Sequence, residues 1–243
     1  MYQTACITGA SRGIGAAAAR RLAAEGYHLS LCCRHNHEQL HALARELEAD
    51  YSVQVLCFAG DVADYAFMEH MITQTLAAFG QIDLLVNNAG ISYIGLLTDM
   101  TIDDWNKLVA TNLTSVFSAC RLTIPSMVSR KRGTIINISS VWGIAGASCE
   151  AAYSACKGGV NAFTRALGKE LAPSHIQVNA IAPGVIDTDM NRGFSEEERK
   201  ALTDEIPAGR MGTPEEAAEL ILQLAQAPSY LTGQILTMDG GWL

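Results

Sequence analysis

The fold is decided near the start of the chain, by the stretch TACITGASRGIG at residues 4–15. Its first part, TACIT (4–8), is a short apolar run of the kind that forms a buried strand. A glycine-rich turn follows directly, and behind it apolar residues recur at helical spacing over about 14–25. A strand, a tight turn and a helix in this order are typical of the first unit of a parallel α/β fold.

The rest of the chain continues this alternation of short apolar runs and longer helical patterns. Further strands are predicted at 28–33, 53–59, 84–88, 134–139, 177–182 and 234–238. Further helices are predicted at 38–50, 65–79, 102–111, 114–130, 151–171, 195–205 and 214–226. Apolar strands separated by helices indicate a parallel sheet that is covered on both faces. Because no linker or repeat divides the chain, we predict a single doubly wound α/β domain of about seven strands over residues 1–243.

The composition argues against several classes of protein. The formal charge is −8, from 17 basic and 25 acidic residues, so binding of nucleic acid or an anionic membrane is not expected. No apolar run reaches the roughly 18 residues of a membrane-spanning helix, and no secretory signal is recognisable. We therefore expect a cytoplasmic protein without a metal site. Its seven cysteines are expected to be reduced, with Cys6, Cys32 and Cys57 buried in strands.

The glycine turn TGASRGIG (8–15) is suited to hold a phosphate group. Gly9, Gly13 and Gly15 allow a tight turn and a close approach of the backbone to a ligand. The helix N-terminus behind them favours a pyrophosphate. Glycines also serve plain turns, but the position of this turn after the first strand favours a dinucleotide-binding loop.

The end of the second predicted strand indicates which dinucleotide is bound. An acidic residue there would bind a ribose 2′-hydroxyl and favour NAD. The chain has Cys33, Arg34 and His35 at this place. Arg34, together with Arg12 in the glycine turn, could clamp a 2′-phosphate, and the alternative is a pair of exposed arginines. The missing acid and the two cations favour NADP(H) as the cofactor.

The stretch SCEAAYSACKGG (148–159) brings a phenol, an ammonium group and a carboxylate close together. Tyr153 and Lys157 are four residues apart on a predicted helix, so they share one face of it. Reduction of a ketone needs a proton donor, and a free tyrosine, with a pKa of about 10, is a weak one. A nearby ammonium group would lower that pKa. The plain alternative is an exposed pair on a surface helix.

Taken together, these motifs resemble the short-chain dehydrogenase/reductase family over essentially the whole chain. The resemblance is carried by TGASRGIG (8–15), NNAG (87–90), SS (139–140), YSACK (153–157), NAIAPGVIDTDM (179–190) and DGG (239–241). Within the family the chain looks most like the 3-oxoacyl-[acyl-carrier-protein] reductases of fatty acid biosynthesis, which use NADPH and are commonly tetrameric. The resemblance implies NADPH-dependent reduction of a 3-oxoacyl thioester. The alternative of another class is a non-catalytic NADPH-sensing protein.

The resemblance also implies two sets of site residues. The catalytic set would be Asn112, Ser140, Tyr153 and Lys157. Ser140 would hold the substrate carbonyl, Lys157 would also bond the nicotinamide ribose, and Asn112 would anchor water for a proton path. Besides Tyr153 and Lys157, the implied cofactor-binding residues are Gly9, Ser11, Arg12, Gly13, Ile14, Gly15, Arg34, Asp61, Val62, Asn88, Ala89, Gly90, Pro183, Gly184, Ile186 and Thr188.

Two segments of the sequence each allow two interpretations. Asn87 and Asn88 close the fourth predicted strand, where they either line the cofactor cleft or only form a turn. The segment 185–205 is either a mobile lid over the substrate or an ordinary surface helix. The helices at 114–130 and 151–171 are expected to pair across a two-fold axis of a homotetramer, and the apolar residues behind that expectation are Val116, Phe117, Phe163 and Leu167.

Two positions differ from the pattern of the carrier-protein reductases. Ser174 stands where those enzymes usually have a basic residue, although Lys131 keeps a positive charge at a second such place. The segment SSVWGIAGASCE (139–150), which contains Trp142, also resembles a subset linked to elongation factor P. That subset is thought to reduce a 5-aminopentanone group on a lysine of the factor. The possible partners are therefore acyl carrier protein and elongation factor P.

Glu150 lies three residues before Tyr153, where the carrier-protein reductases commonly have glutamine. A carboxylate at this place would repel a phenolate and raise the pKa of the tyrosine. It could bind an ammonium group of the substrate, or it could point to solvent or cap the start of the helix. Together with Ser140 and Trp142, Glu150 completes the predicted substrate-binding set.

Overall fold

Seven short runs of the sequence form the strands of one parallel sheet. The computed structural model describes residues 2–191, 193 and 195–243. Its strands are β1 (Thr4–Ile7), β2 (His28–Cys33), β3 (Val55–Ala59), β4 (Leu84–Asn87), β5 (Gly133–Ile138), β6 (Ile176–Pro183) and β7 (Ile235–Met238). They lie in the order β3-β2-β1-β4-β5-β6-β7, and all neighbouring pairs are parallel. The predicted doubly wound α/β fold is thereby confirmed.

Helices connect the strands and cover both faces of the sheet. They are α1 (Gly13–Ala24), α2 (His37–Tyr51), α3 (Tyr65–Phe79), α4 (Ile102–Val109), α5 (Ser115–Arg130), α6 (Trp142–Ala145), α7 (Ala151–Leu171), α8 (Glu196–Glu205) and α9 (Pro214–Ala225). The bounds of α3 and α7 are those that the sequence predicted. The short helix α6 was not predicted, and neither was the π-helical turn Ala110–Thr114 that joins α4 to α5.

Successive side chains of each strand point to opposite faces of the sheet, so they contribute to two separate apolar layers. Ala5 and Ile7 of β1 belong to one buried cluster with residues of α1, α2 and α9, whereas Cys6 belongs to another with residues of α3, α5 and α7. The edge strands depart from the prediction that all strands are fully buried. Strand β3 pairs with β2 along one edge and has no strand on the other, and its residues are half-buried or exposed, including Cys57.

The sheet order fixes where a ligand can enter. The chain runs outward from β1 to β3 and then returns to place β4 on the other side of β1. At this switch point the loops after β1 and β4 separate in opposite directions, and a crevice opens outside the carboxyl ends of the strands. The glycine turn follows β1 here, and the NNAG segment follows β4.

The apolar residues expected to form a subunit interface have different surroundings. Val116 and Leu167 are buried in the core of this chain, so they supply no apolar surface to a partner subunit. Phe163 packs against the same core cluster, and Phe117 is 46% exposed. The expectation of a tetramer itself is not tested. Among the described residues, no helix combines the length and apolarity needed to cross a membrane.

Candidate active site

In the glycine turn after β1, the backbone lies very close to neighbouring backbone at two positions. Gly9 has a φ of +68°, and a Cβ added there would lie 2.9 Å from the Cα of Ala89. A Cβ on Gly15 would overlap the carbonyl oxygen of Gly9. Larger residues would push the turn away from the β4 loop, so these glycines keep the two loops in contact. Behind the turn, α1 starts without a side-chain cap, which leaves its first amides open to an anion.

Asn88 ties this turn to the β4 loop. Its side-chain amide donates to the carbonyl oxygens of Thr8 and Gly9, at 2.9 and 3.0 Å. The hydroxyl of Thr8 accepts from the backbone amides of Asn88 and Ala89, both at 3.0 Å. Asn87 lies in the interior and donates to the side chain of Asn137 at 2.8 Å. Asn88 therefore lines the cleft, whereas Asn87 belongs to a buried polar network beneath it.

A cleft of about 570 Å³ runs along the carboxyl ends of the strands. All residues of the predicted cofactor-binding set line it except Gly15, which lies beneath the turn. Ser140, Tyr153 and Lys157 line the same cleft, but Asn112, Trp142 and Glu150 do not. The sequence missed the lining residues Cys32, Cys33, His35, Asn36, Gly60, Ile91, Lys107, Ile138, Ser139, Asp189, Met190 and Asn191. Seven of them, namely Cys32, Cys33, His35, Asn36, Gly60, Ile138 and Ser139, lie within three residues of the carboxyl end of a strand, and that position was the signal available for finding them.

The two predicted phosphate cations each lie beside a carboxylate. The Nε atom of Arg34 is 3.1 Å from Asp61, which is another of the implied cofactor-binding residues. An Nη atom of Arg12 is 3.3 Å from Asp189. Both arginine side chains are about half exposed, at 45% and 59%, so these ion pairs are weak and open to exchange.

Ser140 and Tyr153 bring two hydroxyl groups together at one wall of the cleft. The Ser140 hydroxyl accepts from the backbone amide of Trp142 at 3.1 Å and is hydrogen-bonded to the Tyr153 hydroxyl. Burial of Tyr153 raises its pKa to about 12; the bond to Ser140 lowers it, and the nearby Glu150 raises it. The effect of Glu150 has the direction that the sequence predicted.

Lys157 is buried beside this pair but does not act on Tyr153 as expected. Its Nζ atom donates to the carbonyl oxygen of Ile138 at 2.8 Å and lies 5.6 Å from the centre of the Tyr153 ring. Burial lowers the pKa of Lys157 to about 8. The prediction that Lys157 sets a low pKa for Tyr153 is wrong in this structure, because desolvation of the phenol is the largest influence.

Asn112 lies in the π-helical turn between α4 and α5 and clamps the loop after β4. Its side-chain oxygen accepts from the amide of Ile91, and its side-chain nitrogen donates to the carbonyl of the same residue, both at 2.8 Å. A Cβ added to Gly90 would lie 3.3 Å from the Asn112 side chain and 3.6 Å from Nζ of Lys157. Asn112 therefore holds the loop that separates it from Lys157.

Glu150 is placed at the start of α7 without capping it. The residue occupies the N-cap position, but its carboxylate accepts no hydrogen bond from the helix amides. The carboxylate is half-buried and bonded instead to the indole of Trp142. Burial raises the pKa of Glu150, and the indole bond lowers it. The side-chain cap is thus excluded, and a carboxylate lies at the edge of the Tyr153 site.

The segment expected to form a lid begins with an ordered turn. The short 3-10 helix Asp189–Asn191 follows Thr188, whose methyl group would lie 3.2 Å from a Cβ on Gly13. Further on, Arg199 of α8 donates to the carbonyl oxygen of Asn191 in this turn at 3.1 Å and to the carboxylate of Asp187 at 3.3 Å. Arg192 and Phe194, which the predicted lid includes, lie outside the described residues.

Comparison with known proteins decides the family. Residues 3–199 match the family model described as short chain dehydrogenase. The chain belongs to the short-chain dehydrogenase family. It is 40% identical over 243 residues to the "Uncharacterized oxidoreductase YmfI" of Bacillus subtilis, over 100% of this chain and 99% of the relative.

Two further relatives of this short-chain dehydrogenase carry the name 3-oxoacyl-[acyl-carrier-protein] reductase FabG. The protein from Chlamydia muridarum is 38% identical over 240 residues, which cover 98% of this chain and 96% of the relative. The protein from Thermotoga maritima is 39% identical over 236 residues, which cover 97% and 95%. The chain is therefore an oxidoreductase of a family whose members use nicotinamide cofactors.

The cleft of this short-chain dehydrogenase fits such a cofactor. The glycine turn and the uncapped start of α1 offer backbone amides to a pyrophosphate. Arg34 and Asp61 lie at the end where the adenosine would be bound, after β2 and β3. Tyr153 and Lys157 lie at the opposite end, where the nicotinamide would meet a substrate.

Proposed function

We propose that this short-chain dehydrogenase uses NADPH to reduce a ketone to a secondary alcohol, with a 3-oxoacyl thioester on acyl carrier protein as substrate. The observation that carries the proposal is the bonded hydroxyl pair of Ser140 and Tyr153, with buried Lys157 beside it, in one wall of the cofactor cleft. The names of the reductase relatives support the thioester as the substrate class.

The chain's own residues provide the proton and hold the substrate. NADPH, when bound, supplies the hydride that reduces the carbonyl carbon. The hydroxyls of Ser140 and Tyr153 donate to the carbonyl oxygen, and they stabilise the negative charge that develops there. Because its pKa is raised to about 12, Tyr153 keeps its proton at neutral pH and can transfer it to the much more basic alkoxide. Lys157, on the same helix face, has its ammonium group 5.6 Å from the centre of the tyrosine ring and would hold the ribose of the nicotinamide.

The preference for NADPH rests on the cations after β1 and β2. No acidic residue ends β2, and both Arg12 and Arg34 line the cleft. The ion pair with Asp61 uses Nε of Arg34. Within the described part of the chain, neither Nη atom of Arg34 donates a hydrogen bond, so both can be offered to a 2′-phosphate.

The assay that tests the proposal follows the absorbance of the reduced nicotinamide. We expect an acetoacetyl thioester to oxidise NADPH in the presence of the protein, with a kcat/KM at least about tenfold higher than with NADH. Binding of NADPH without turnover of any ketone would favour the non-catalytic sensor. Faster turnover with NADH would contradict the role given to the arginines.

A second candidate substrate is favoured by Glu150. A half-buried carboxylate that caps no helix and raises the pKa of the proton donor is a disadvantage for a neutral substrate. A substrate ammonium group would offset the repulsion and form a charge-assisted hydrogen bond. An amine-bearing ketone, such as the 5-aminopentanone group on elongation factor P, has this chemistry.

The variant Glu150→Gln separates the two candidates, because glutamine keeps the size of the side chain and removes its charge. If the amine-bearing ketone is the substrate, kcat/KM falls at least tenfold for it and little for an acetoacetyl thioester. A similar change for both substrates would return the assignment to the thioester.

We further propose that the chain acts in the cytoplasm as a single-domain subunit of a homotetramer. The exposed side chain of Phe117 on α5 supports the interface, because large apolar groups are usually covered in an assembly.

A further inference from the structure

The indole of Trp242 lies against the indole of Trp142, far away along the chain. Their ring centres are 5.0 Å apart, and the planes meet at 62°, an edge-to-face contact. Trp142 donates through its backbone amide to the hydroxyl of Ser140 and bonds through its indole to Glu150. Trp242 is therefore one contact away from the residues that would hold the substrate.

A polar hook holds Trp242 in this position. The carboxylate of Asp239 accepts from the backbone amides of Gly241 and Leu243, both at 2.9 Å. Gly240 and Gly241 have φ values of +69° and +84°, which let the chain reverse directly after β7. This bend carries an aromatic side chain toward α6.

The hook is also fixed to the cofactor cleft. A Cβ on Gly184, which lines the cleft, would lie 2.9 Å from the Cβ of Asp239. The amide of Gly184 donates to the carbonyl oxygen of Met238 at 2.9 Å. The position of Trp242 is thus set by the same backbone that forms the cleft wall, and not by a flexible extension.

Glu150, Trp142 and Trp242 form a row that leads away from the reacting hydroxyls. Both indoles are half-buried, so part of each ring remains accessible. The Glu150 carboxylate is desolvated, and the indole of Trp142 is its hydrogen-bond donor. A carboxylate next to two indoles favours binding of a cation, because the cation pairs with the carboxylate and is also attracted to the faces of the indole rings.

We propose that Trp242 is a specificity residue of the substrate site, and that with Trp142 it contacts the substrate beyond the carbonyl and favours a cationic group there. The proposal rests on the proposed ketone reduction at Ser140 and Tyr153. It adds Trp242 to the substrate site, on the side where Glu150 lies. A neutral acyl chain would gain only apolar contact from the same rings.

Two methyl ketones of equal shape test the charge dependence. One carries a trimethylammonium group three methylenes from the carbonyl, and the other carries the neutral tert-butyl group at the same place. A quaternary ammonium group cannot cyclise onto the ketone, and it is a good partner for indole faces. For Trp242→Ala we expect roughly a tenfold rise in KM for the cationic ketone, with kcat nearly unchanged and less than a twofold effect on the neutral one.

Trp242→Phe keeps an aromatic ring and should restore part of the affinity, which a purely structural role would not explain. Tyr230→Ala, at a side chain that is 99% exposed, is the matched control for loss of an aromatic residue. Equal losses for both ketones, or no loss for either, would overturn the proposal. If Trp242→Ala does not fold, the same comparison is made with Trp242→Phe and Trp242→Leu.

A binding measurement separates this proposal from the proposed reaction. Titration of the protein with the cationic ketone is followed by tryptophan fluorescence, since two of its three tryptophans form the pair. Saturable quenching that is lost in Trp242→Leu supports the contact between Trp242 and the ketone. If neither ketone is reduced in that case, only the proposed reaction is contradicted. Quenching unchanged in that variant contradicts the contact even if both ketones are reduced.

Discussion

Nζ of Lys157 donates a hydrogen bond to the carbonyl oxygen of Ile138 at 2.8 Å, and this bond ties α7 to the end of β5. The lysine is 4% exposed, so its charge is taken out of water and met by a backbone dipole. The site therefore contains a buried ammonium group, and keeping that group charged costs free energy. Both the role that we propose for Lys157 and its expected effect on stability follow from this position.

Replacement of Tyr153 by phenylalanine should abolish turnover and leave cofactor binding intact. The change removes the proton donor and keeps the ring that packs between Ala152 and Cys156. General acid groups contribute about 10²–10⁴-fold, so we expect kcat to fall by at least a hundredfold. Tyr27→Phe is the control, because Tyr27 is also buried but lies just before β2, at the amino ends of the strands and away from the cleft. Retention of more than a few per cent of the activity would exclude Tyr153 as the acid.

Replacement of Arg34 by alanine should weaken the preference for NADPH over NADH. A charge-assisted hydrogen bond contributes about 1.5–3 kcal/mol, so the ratio of the two kcat/KM values should fall roughly ten- to a hundredfold. Arg45→Ala removes an exposed arginine of α2 and should leave the ratio as it is. The role of Arg34 as the phosphate clamp fails if both variants keep the preference of the original protein.

The stability of the protein should rise with pH through the titration of Lys157. Burial lowers its pKa from 10.5 to about 8, so between these values the unfolded chain holds more protons than the folded protein. Lys157 alone should then add roughly 3 kcal/mol to the free energy of unfolding over this range, at about 1.4 kcal/mol for each pH unit. Groups whose pKa is raised by burial act in the opposite direction: the thiols above a pH of about 9 and Tyr153 above about 10. The rise is therefore expected below a pH of about 9.

Urea unfolding of the protein without added cofactor, at a series of pH values from about 7.5 to 9.5, measures this effect. In Lys157→Met the rise should disappear. In Lys169→Met, a change of an exposed lysine on the same helix, it should persist. A pH profile that Lys157→Met leaves unchanged would mean that the lysine is not desolvated.

Replacement of Phe117 by glutamate should dissociate the tetramer that we propose. Phe117 is 46% exposed on α5, and a charge at the centre of an apolar interface leaves a carboxylate buried without a partner. Light scattering at micromolar concentration should show a smaller species. Tyr230→Glu adds the same charge at a fully exposed position and should not change the mass. A monomer in the original protein would refute the tetramer directly.

The elements of the fold could be predicted because their signals are local. The apolar runs that became β1, β2 and β4 bury side chains on both faces, so no polar alternation obscures them. The ends of α3 are marked by Asp64, whose carboxylate caps the helix, and by Gly80 in the left-handed conformation. The π-helical turn was missed because nothing in the spacing of ATNLT distinguishes it from an α-helix.

The residues of the site were found by motif, but their electrostatics were not. Tyr153 and Lys157 were predicted as a pair in which the lysine lowers the pKa of the phenol. Their pKa values are instead set mainly by burial, which depends on how β5, α4 and α7 pack around them. The spacing of four residues determines only that they share a helix face.

The sequence by itself determined the alternation of strands and helices and the glycine turn, and it indicated the groups that we propose to react, because each depends on residues within about twenty positions of one another. Tertiary structure alone decided that Arg34 meets Asp61, that Asn112 binds the backbone of Ile91, and that Trp242 packs on Trp142. These contacts join residues from separate elements, and the order of strands in the sheet brings them together. No local pattern encodes that order, since it results from burying both faces of the sheet at once.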